Sequence, residues 1–310
     1  METFKVKHIC EAYRNRLSNR HFYPLDEPYL STGITAIDYQ IGGFPKGRLT
    51  IITAERTTDT TSLISTIALR MSKMLEISTG IMTTSYQQNE KFSRLVLNNV
   101  IDKPSDLSKG ISKQNITFLE NLDLELQKIP LWICNVQDNE YFFLKYQSRY
   151  LVVEKRVSCI FVDFLQALVL DDIVPIQSYR QRLRILCEDL GRLAYYLDIP
   201  IVVVAHKECD FSFNNYAHLI FEYEVLHEEK VTGQLDLPDN MEIDTNILIP
   251  TRLSILFDTY GRTGQFNLVY DPKYSRVLPI CEYTNRGVLN DAEKKTSTPQ
   301  KSKEQEDLPF

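Results

Sequence analysis

The sequence predicts an α/β protein with a largely parallel central sheet, flanked by helices and followed by a C-terminal hairpin. Three observations carry that expectation. Short β-branched runs, Leu49–Thr53 and Ile201–Ala205 above all, have the composition of strands buried on both faces of a parallel sheet. Segments with apolar residues at helical spacing separate such runs, and the clearest is Tyr179–Leu197, where Tyr179, Leu183, Leu186, Leu190, Leu193, Ala194 and Leu197 form one stripe. Near the end, Leu253–Phe257 and Phe266–Tyr270 flank Gly261-Arg-Thr-Gly264, a hairpin signal. Strands that alternate with long helices make an α/β protein.

Each element follows in order. Residues 1–28 read as a basic helical arm and linker: Phe4, Val6, Ile9, Ala12, Tyr13 and Leu17 are roughly helical in spacing, Lys5, Lys7, Arg14, Arg16 and Arg20 stand between them, and Pro24 and Pro28 mark the linker. The arm docks on the body or grips a partner or a nucleic-acid backbone. Ser31-Thr32 opens a short helix around Ala36–Gln40, and Gly42-Gly43, Pro45 and Gly47 form a turn. The strand Leu49–Thr53 leads into a polar loop, Ala54–Asp59, and then a helix carrying Leu63, Ile64, Ile67, Ala68, Met71 and Leu75. Gly80–Thr84 reads as a strand, with a helix from about Asn89 to Val100. The apolar run Ile160–Asp163 follows Leu151–Val153 and a charged break, and the helix Tyr179–Leu197 ends at Ile199-Pro200, before the strand Ile201–Ala205. Residues 208–246 show no clear period and read as long connections. Residues 29–287 form one domain, and 288–310, polar and charged, form a disordered tail.

Composition narrows the function classes. The chain has 310 residues, 43% hydrophobic and 25% charged, and a net charge of −6, which excludes wholesale disorder and argues against indiscriminate nucleic-acid binding. Six cysteines (Cys10, Cys134, Cys159, Cys187, Cys209 and Cys281) contain no CxxC pair, so neither a disulfide framework nor a zinc cluster is expected. The N-terminus is too polar for a signal peptide and no apolar run reaches transmembrane length, so the expectation is a cytoplasmic protein without a membrane partner. Only 11 glycines occur, and none lies between Gly47 and Gly80.

The stretch STGITAIDYQIGGFPKGRLTIITAERTTDTTS resembles the segment that opens the motor domain of DnaB-type replicative DNA helicases, where a TG…LD…GG…G-L lead-in precedes the first core strand and a P-loop. Ile160-Phe-Val-Asp-Phe-Leu-Gln166 is similar to that family's Walker B strand, Leu190–Lys207 to the helix and strand before its sensor residue, and Tyr260-Gly-Arg-Thr-Gly-Gln-Phe266 with Asp271-Pro-Lys-Tyr-Ser-Arg-Val277 to its closing hairpin and strand. Four matches in the family's order, over about residues 30–280, imply a RecA-like P-loop NTPase fold. About 30 residues precede the match, so the family's N-terminal collar domain is not expected within this sequence.

The site residues depart from the pattern. A working P-loop, G/A-x-x-x-x-G-K-[ST], cradles phosphates with backbone N–H groups, reaches them with lysine and holds Mg²⁺ with its hydroxyl. Here Ala54 keeps the first position, Asp59 replaces the second glycine, Thr60 replaces the lysine, and Thr61 keeps the hydroxyl, followed by Ser62. The resemblance implies a catalytic glutamate after the second strand, where Gln87 stands and cannot act as a general base. It places His206 at the sensor amide, and Phe257 and Thr259 at the lysine and arginine finger that act on a neighbouring subunit's nucleotide, with Arg262 the nearest cation. Arg56 is a candidate substitute cation, and Asp163 is kept and, with Thr61, is the candidate Mg²⁺ pair.

The favoured expectation is therefore a relative of the DnaB motor domain that has lost hydrolysis and needs no cofactor, acting as a scaffold or interaction module in DNA replication or processing. Its partner would be a protein or a second copy, met through the inter-subunit surface of the fold. The alternatives are an ATP-dependent DNA helicase or translocase that uses Arg56 and Arg262 with ATP and Mg²⁺, and a regulatory subunit that binds nucleotide without turnover through Thr61, Ser62 and Asp163. DNA contact is weakly supported, because the expected DNA-facing stretch near 208–250 is acidic, with Glu222, Glu224, Glu228, Glu229, Asp236, Asp239, Glu242 and Asp244. Aromatic clusters such as Tyr141-Phe-Phe143 and Tyr195-Tyr196, without interleaved cations, read as core or interface rather than base-stacking platforms.

Overall fold

The computed structural model describes residues 28–84, 91–92, 124–170, 178–207, 211–226, 234–235 and 247–281. The basic arm (save residue 28), the polar tail, Gln87 and the expected helix 89–100 (save Lys91 and Phe92) lie outside them.

The elements run β1 (Tyr29–Leu30), α1 (Thr35–Ile41), β2 (Phe44–Pro45), β3 (Leu49–Ala54), α2 (Thr60–Met74), β4 (Thr79–Thr83), β5 (Leu131–Asn135), α3 (Tyr141–Lys155), β6 (Cys159–Asp163), α4 (Tyr179–Leu197), β7 (Ile201–His206), β8 (Leu219–Val225), β9 (Gln234–Leu235), β10 (Ile249–Asp258), β11 (Gln265–Asp271) and β12 (Arg276–Cys281). Ten strands form one sheet in the order β5-β4-β6-β7-β3-β8-β10-β11-β12-β9. The six strands from β5 to β8 are parallel, and the pairs from β8 to β9 are antiparallel. The expected parallel sheet and closing hairpin are therefore present.

Alternation along β3 divides the core. Leu49 and Ile51 join α3 and α4 on one face, while Ile52 and Ala54 join α1, α2 and β11 on the other. The predicted helix 179–197 forms: the Ser178 hydroxyl accepts from the Gln181 N–H at 3.2 Å, Leu183, Leu186, Leu190, Leu193 and Ala194 of the expected stripe are buried while Tyr179 at its start is exposed, and Asp198 ends the helix in left-handed conformation before Pro200. Ser31-Thr32 acts differently from a start signal. Both hydroxyls and the Thr32 N–H donate to the carboxylate of Asp38, and the α1 N-cap is Ile34. At Gly43 (φ +105) a Cβ would stand 2.1 Å from the Leu30 carbonyl oxygen, so the close β1–β2 pairing requires glycine.

Four elements escaped the sequence. The stretch 208–246 was expected to be connection alone, yet it contains β8, central and parallel to β3, and the short β9. Its Phe-Glu-Tyr-Glu-Val alternation is a period-2 strand whose carboxylates are compensated: Glu222 pairs with Lys207, and Glu224 lies 3.8 Å from Arg252. Glu222 and Glu224 are thus strand residues with cation partners, not members of an acidic loop. β5 hides in a short apolar run at the sheet edge, and α3 hides because it is apolar on both sides: Tyr141, Leu144 and Leu151 face the core, while Phe142, Tyr146, Tyr150 and Val153 face outward.

Candidate functional site

The carboxyl end of β3 presents the loop Glu55–Asp59 and the first turn of α2. β7 steadies the strand end: Lys207 donates its N–H to the Ala54 carbonyl at 2.9 Å. Within the loop the Thr58 N–H bonds the Glu55 carbonyl at 3.0 Å, and Thr60 bonds Thr58 at 2.9 Å. Asp59 sits at φ −77°, and none of residues 55–59 has positive φ. An anion-cradling nest is commonly built from right- and left-handed residues in succession. This loop has no left-handed residue, so the aspartate in the glycine's place sits in it without a positive φ.

Asp59 caps α2. Its carboxylate accepts from the Ser62 N–H at 3.3 Å, the Ser62 hydroxyl at 2.7 Å, the Lys91 ammonium at 3.0 Å and the Tyr270 hydroxyl at 3.1 Å. A helix N-terminus favours a negative group, and here the chain's own side chain supplies it. Burial opposes the charge, but the Ser62 and Lys91 contacts outweigh it and hold the carboxyl below its usual range. The cation missing from the loop is thus present from another element, and it is committed to Asp59. Lys91 and Tyr270 were not foreseen. They lie 32 and 211 residues from Asp59, and no local spacing rule could join them.

Behind this network Thr61 donates to Asp163 Oδ2 at 3.1 Å. Asp163 ends β6 at 2% exposure, and burial raises its pKa to about 6, against the lowering effect of Thr61 and Lys91. The two residues expected to hold Mg²⁺ are therefore adjacent and in contact. Ser62 is buried beneath Asp59, and Thr60 is buried in the same turn. Arg56 stands exposed on the loop. His206 closes β7, where Gln166 brackets its backbone: the amide donates to the His206 carbonyl at 3.0 Å and accepts from its N–H at 3.2 Å.

The finger positions lie elsewhere. Asp258 pairs with Leu219, which in turn pairs with Thr50, so Phe257 and Thr259 sit at the amino end of β3, opposite Asp59. Arg262 is held there by both Asp258 oxygens at 2.8 Å, the Ile41 carbonyl at 2.8 Å and the Tyr29 hydroxyl at 3.0 Å. Arg262, the cation nearest those finger positions, serves within this chain as a structural clamp at that end of the sheet. Among the described residues, no group of three or more His, Cys, Asp or Glu is placed to hold a metal, and no helix is long and apolar enough to cross a membrane.

The hydroxyl and carboxylate for a metal are in place, but a carboxylate stands at the phosphate-binding turn with the local lysine bound to it.

Comparison with known proteins places these features in a lineage. Residues 30–209 match the model of the DnaB-like helicase C-terminal domain family. The replicative DNA helicase DnaB of Treponema pallidum (strain Nichols) is 27% identical over 205 residues, covering 66% of this chain and 46% of that protein. A probable plasmid replicative DNA helicase of Chlamydia psittaci is 22% identical over 199 residues, 64% of this chain and 43% of the relative. The chain thus spans less than half the length of these curated relatives. Among solved structures, an isolated ATPase domain superposes with a TM-score of 0.64 at 14% identity, covering 90% of this chain and 100% of that one. A DnaB-like replicative helicase studied for its interactions with primase superposes at 0.63 and 13% identity, over 89% of this chain and 67% of that one. These likenesses establish the RecA-like fold.

Proposed function

We propose, on the premise that this chain belongs to the DnaB-like helicase C-terminal domain family, that the domain has kept the motor fold and given up ATP hydrolysis, acting as an interaction module in DNA replication or processing. The observation that carries this reading is the position of Asp59. Its carboxylate caps the turn where phosphate would bind and takes up Ser62, Lys91 and Tyr270. A carboxylate roughly 5 Å from a phosphate charge costs about 3 kcal/mol at an effective dielectric of 20. Loss of a lysine contact from the loop costs about 1.5–3 kcal/mol more. Together, about 5 kcal/mol weakens affinity by three to four orders of magnitude. Lys91 offsets this only in part, because its charge is already shared with the Asp59 carboxylate 3.0 Å away.

The contact of Thr61 with Asp163 favours a second reading, in which Mg²⁺-nucleotide binds without turnover. Titration of ATP–Mg²⁺ into the protein, followed by heat and by phosphate release, separates the two. No binding at millimolar nucleotide is expected. Binding without release supports the second reading, and release overturns both. The double variant Asp59→Gly/Thr60→Lys is expected to gain about a thousandfold in nucleotide affinity with little hydrolysis, because Gln87 and Thr259 stay as they are.

A further inference from the structure

We infer that the outward face of α3, with Trp132 beside it, docks an acidic amphipathic helix of a partner protein. The face is apolar where a surface helix should be polar: Phe142 is 57% exposed, Tyr146 65% and Val153 71%, with Tyr150 completing the line. These residues stand at i, i+4, i+8 and i+11, so they form one ridge about 16 Å long, three turns of helix, which suits ridge-into-groove packing against another helix. A helix apolar on both sides belongs in an interior, and exposed apolar patches of this kind mark interaction sites. Trp132, on the edge strand β5, extends the patch: the Lys155 ammonium lies 4.8 Å from its ring centre and 5.8 Å from that of Tyr150.

Charge selects the occupant. Residues 141–156 carry Lys145, Arg149, Lys155 and Arg156 against a single carboxylate, Glu154, in a chain of net charge −6. Lys145 and Arg149 are exposed between the apolar residues, and among the described residues no ion pair engages Lys145, Arg149 or Arg156. An apolar ridge fringed by unmatched cations is complementary to apolar anchors fringed by carboxylates. Cations interleaved with rings also suit single-stranded nucleic acid. That occupant is the less favoured: Lys155 already lies over one face of Trp132 and of Tyr150, and Val153 at the end of the ridge offers no ring for a base to stack on.

The inference deepens the interaction-module reading and rests on it for biological role. Its evidence lies on a different surface, so the two can fail separately. Trp132 is the chain's single tryptophan, and its emission reports on this face without a label. The probes are a synthetic peptide helix with leucines on one face and glutamates on the other, its lysine counterpart, and an oligothymidylate. With the full chain, the glutamate peptide is expected to shift Trp132 emission. Binding should weaken on raising salt from about 50 to about 500 mM, and should fall about tenfold or more in Tyr146→Ser and in Arg149→Glu, exposed changes that leave the melting temperature in place. Equal binding of the lysine peptide, or indifference to both variants, overturns the inference. An emission change with oligothymidylate alone assigns the face to nucleic acid and also overturns it. So does a concentration-dependent dimer that Tyr146→Ser abolishes, which assigns the face to a second copy. ATP turnover with intact peptide binding would remove the non-hydrolysing reading alone, and a silent Trp132 in an ATP-inert protein would remove this inference alone.

Discussion

The two ends of β3 each carry an acid–base pair, built with different cations. At the amino end, Arg262 grips both oxygens of Asp258, and its remaining donors reach the Ile41 carbonyl and the Tyr29 hydroxyl. The guanidinium also lies over the rings of Tyr29 and Tyr260, at 4.9 and 5.4 Å. At the carboxyl end, Lys91 touches one oxygen of Asp59, and Ser62 and Tyr270 supply the rest. The pairs differ in exposure: side-chain values are 20% and 0% for Arg262–Asp258, against 39% and 22% for Lys91–Asp59. A planar fork fixes two elements in one geometry, whereas an ammonium is a point charge that can be replaced. The hairpin end is therefore a lock. The loop end is a seat whose occupant can be changed, and there the chemistry of the family can be lost or rebuilt.

If the lock is the stronger, Arg262→Ala should cost about 3 kcal/mol, because it strands a buried carboxylate and frees β1, α1 and the hairpin from one another. Denaturant unfolding measures it, and a loss under about 1 kcal/mol would erase the contrast. Next in size is Asp163→Asn. The folded pKa of Asp163 is raised to about 6, so the folded state keeps a proton that the unfolded state releases. Stability from this group therefore falls as pH rises from about 4 to about 6 and stays low above. The amide is expected to stabilise the domain by about 3 kcal/mol at pH 8 and by almost nothing at pH 4. Melting curves of the two proteins across that range show whether the difference closes. Asp59 has the opposite sign: its pKa is lowered, so its contribution is present above the unfolded pKa and disappears as pH falls through the folded one. The smallest effect is that of Lys91→Ala, about 1 kcal/mol, as for a half-exposed pair. A double-mutant cycle with Asp59→Ala that matched the Arg262–Asp258 coupling would make the two ends equivalent and end the comparison.

Much of this molecule was legible before its structure. The β-branched runs and the stripe of α4 revealed the parallel half of the sheet, and four ordered motifs pointed to the family. The substitutions Asp59 and Thr60 were visible in the loop itself. What sequence reading lost has physical causes. In β8 the glutamates blurred an alternation whose cations, Lys207 and Arg252, come from other strands. In α3 the outward aromatic residues erased the contrast on which helical periodicity depends. At the site, the loop's changes read as a missing cation, whereas a lysine from beyond β4 and a tyrosine from β11 had taken up the aspartate. Such convergence is a property of the fold, and no window along the chain contains it.

The hydrogen bond from Tyr270 to Asp59 joins the last meander to the first loop across 211 residues, and the one from Arg262 to Ile41 spans 221. During synthesis at about 5–20 residues per second, Asp59 would leave the ribosome some tens of seconds before Tyr270 exists. Through that interval the nascent loop has its lysine but not its tyrosine, and α1 waits for its arginine. The first third of the chain is thus made early and finished late. A stalled or shortened product would expose the seat at the head of α2 in a form the complete domain never shows.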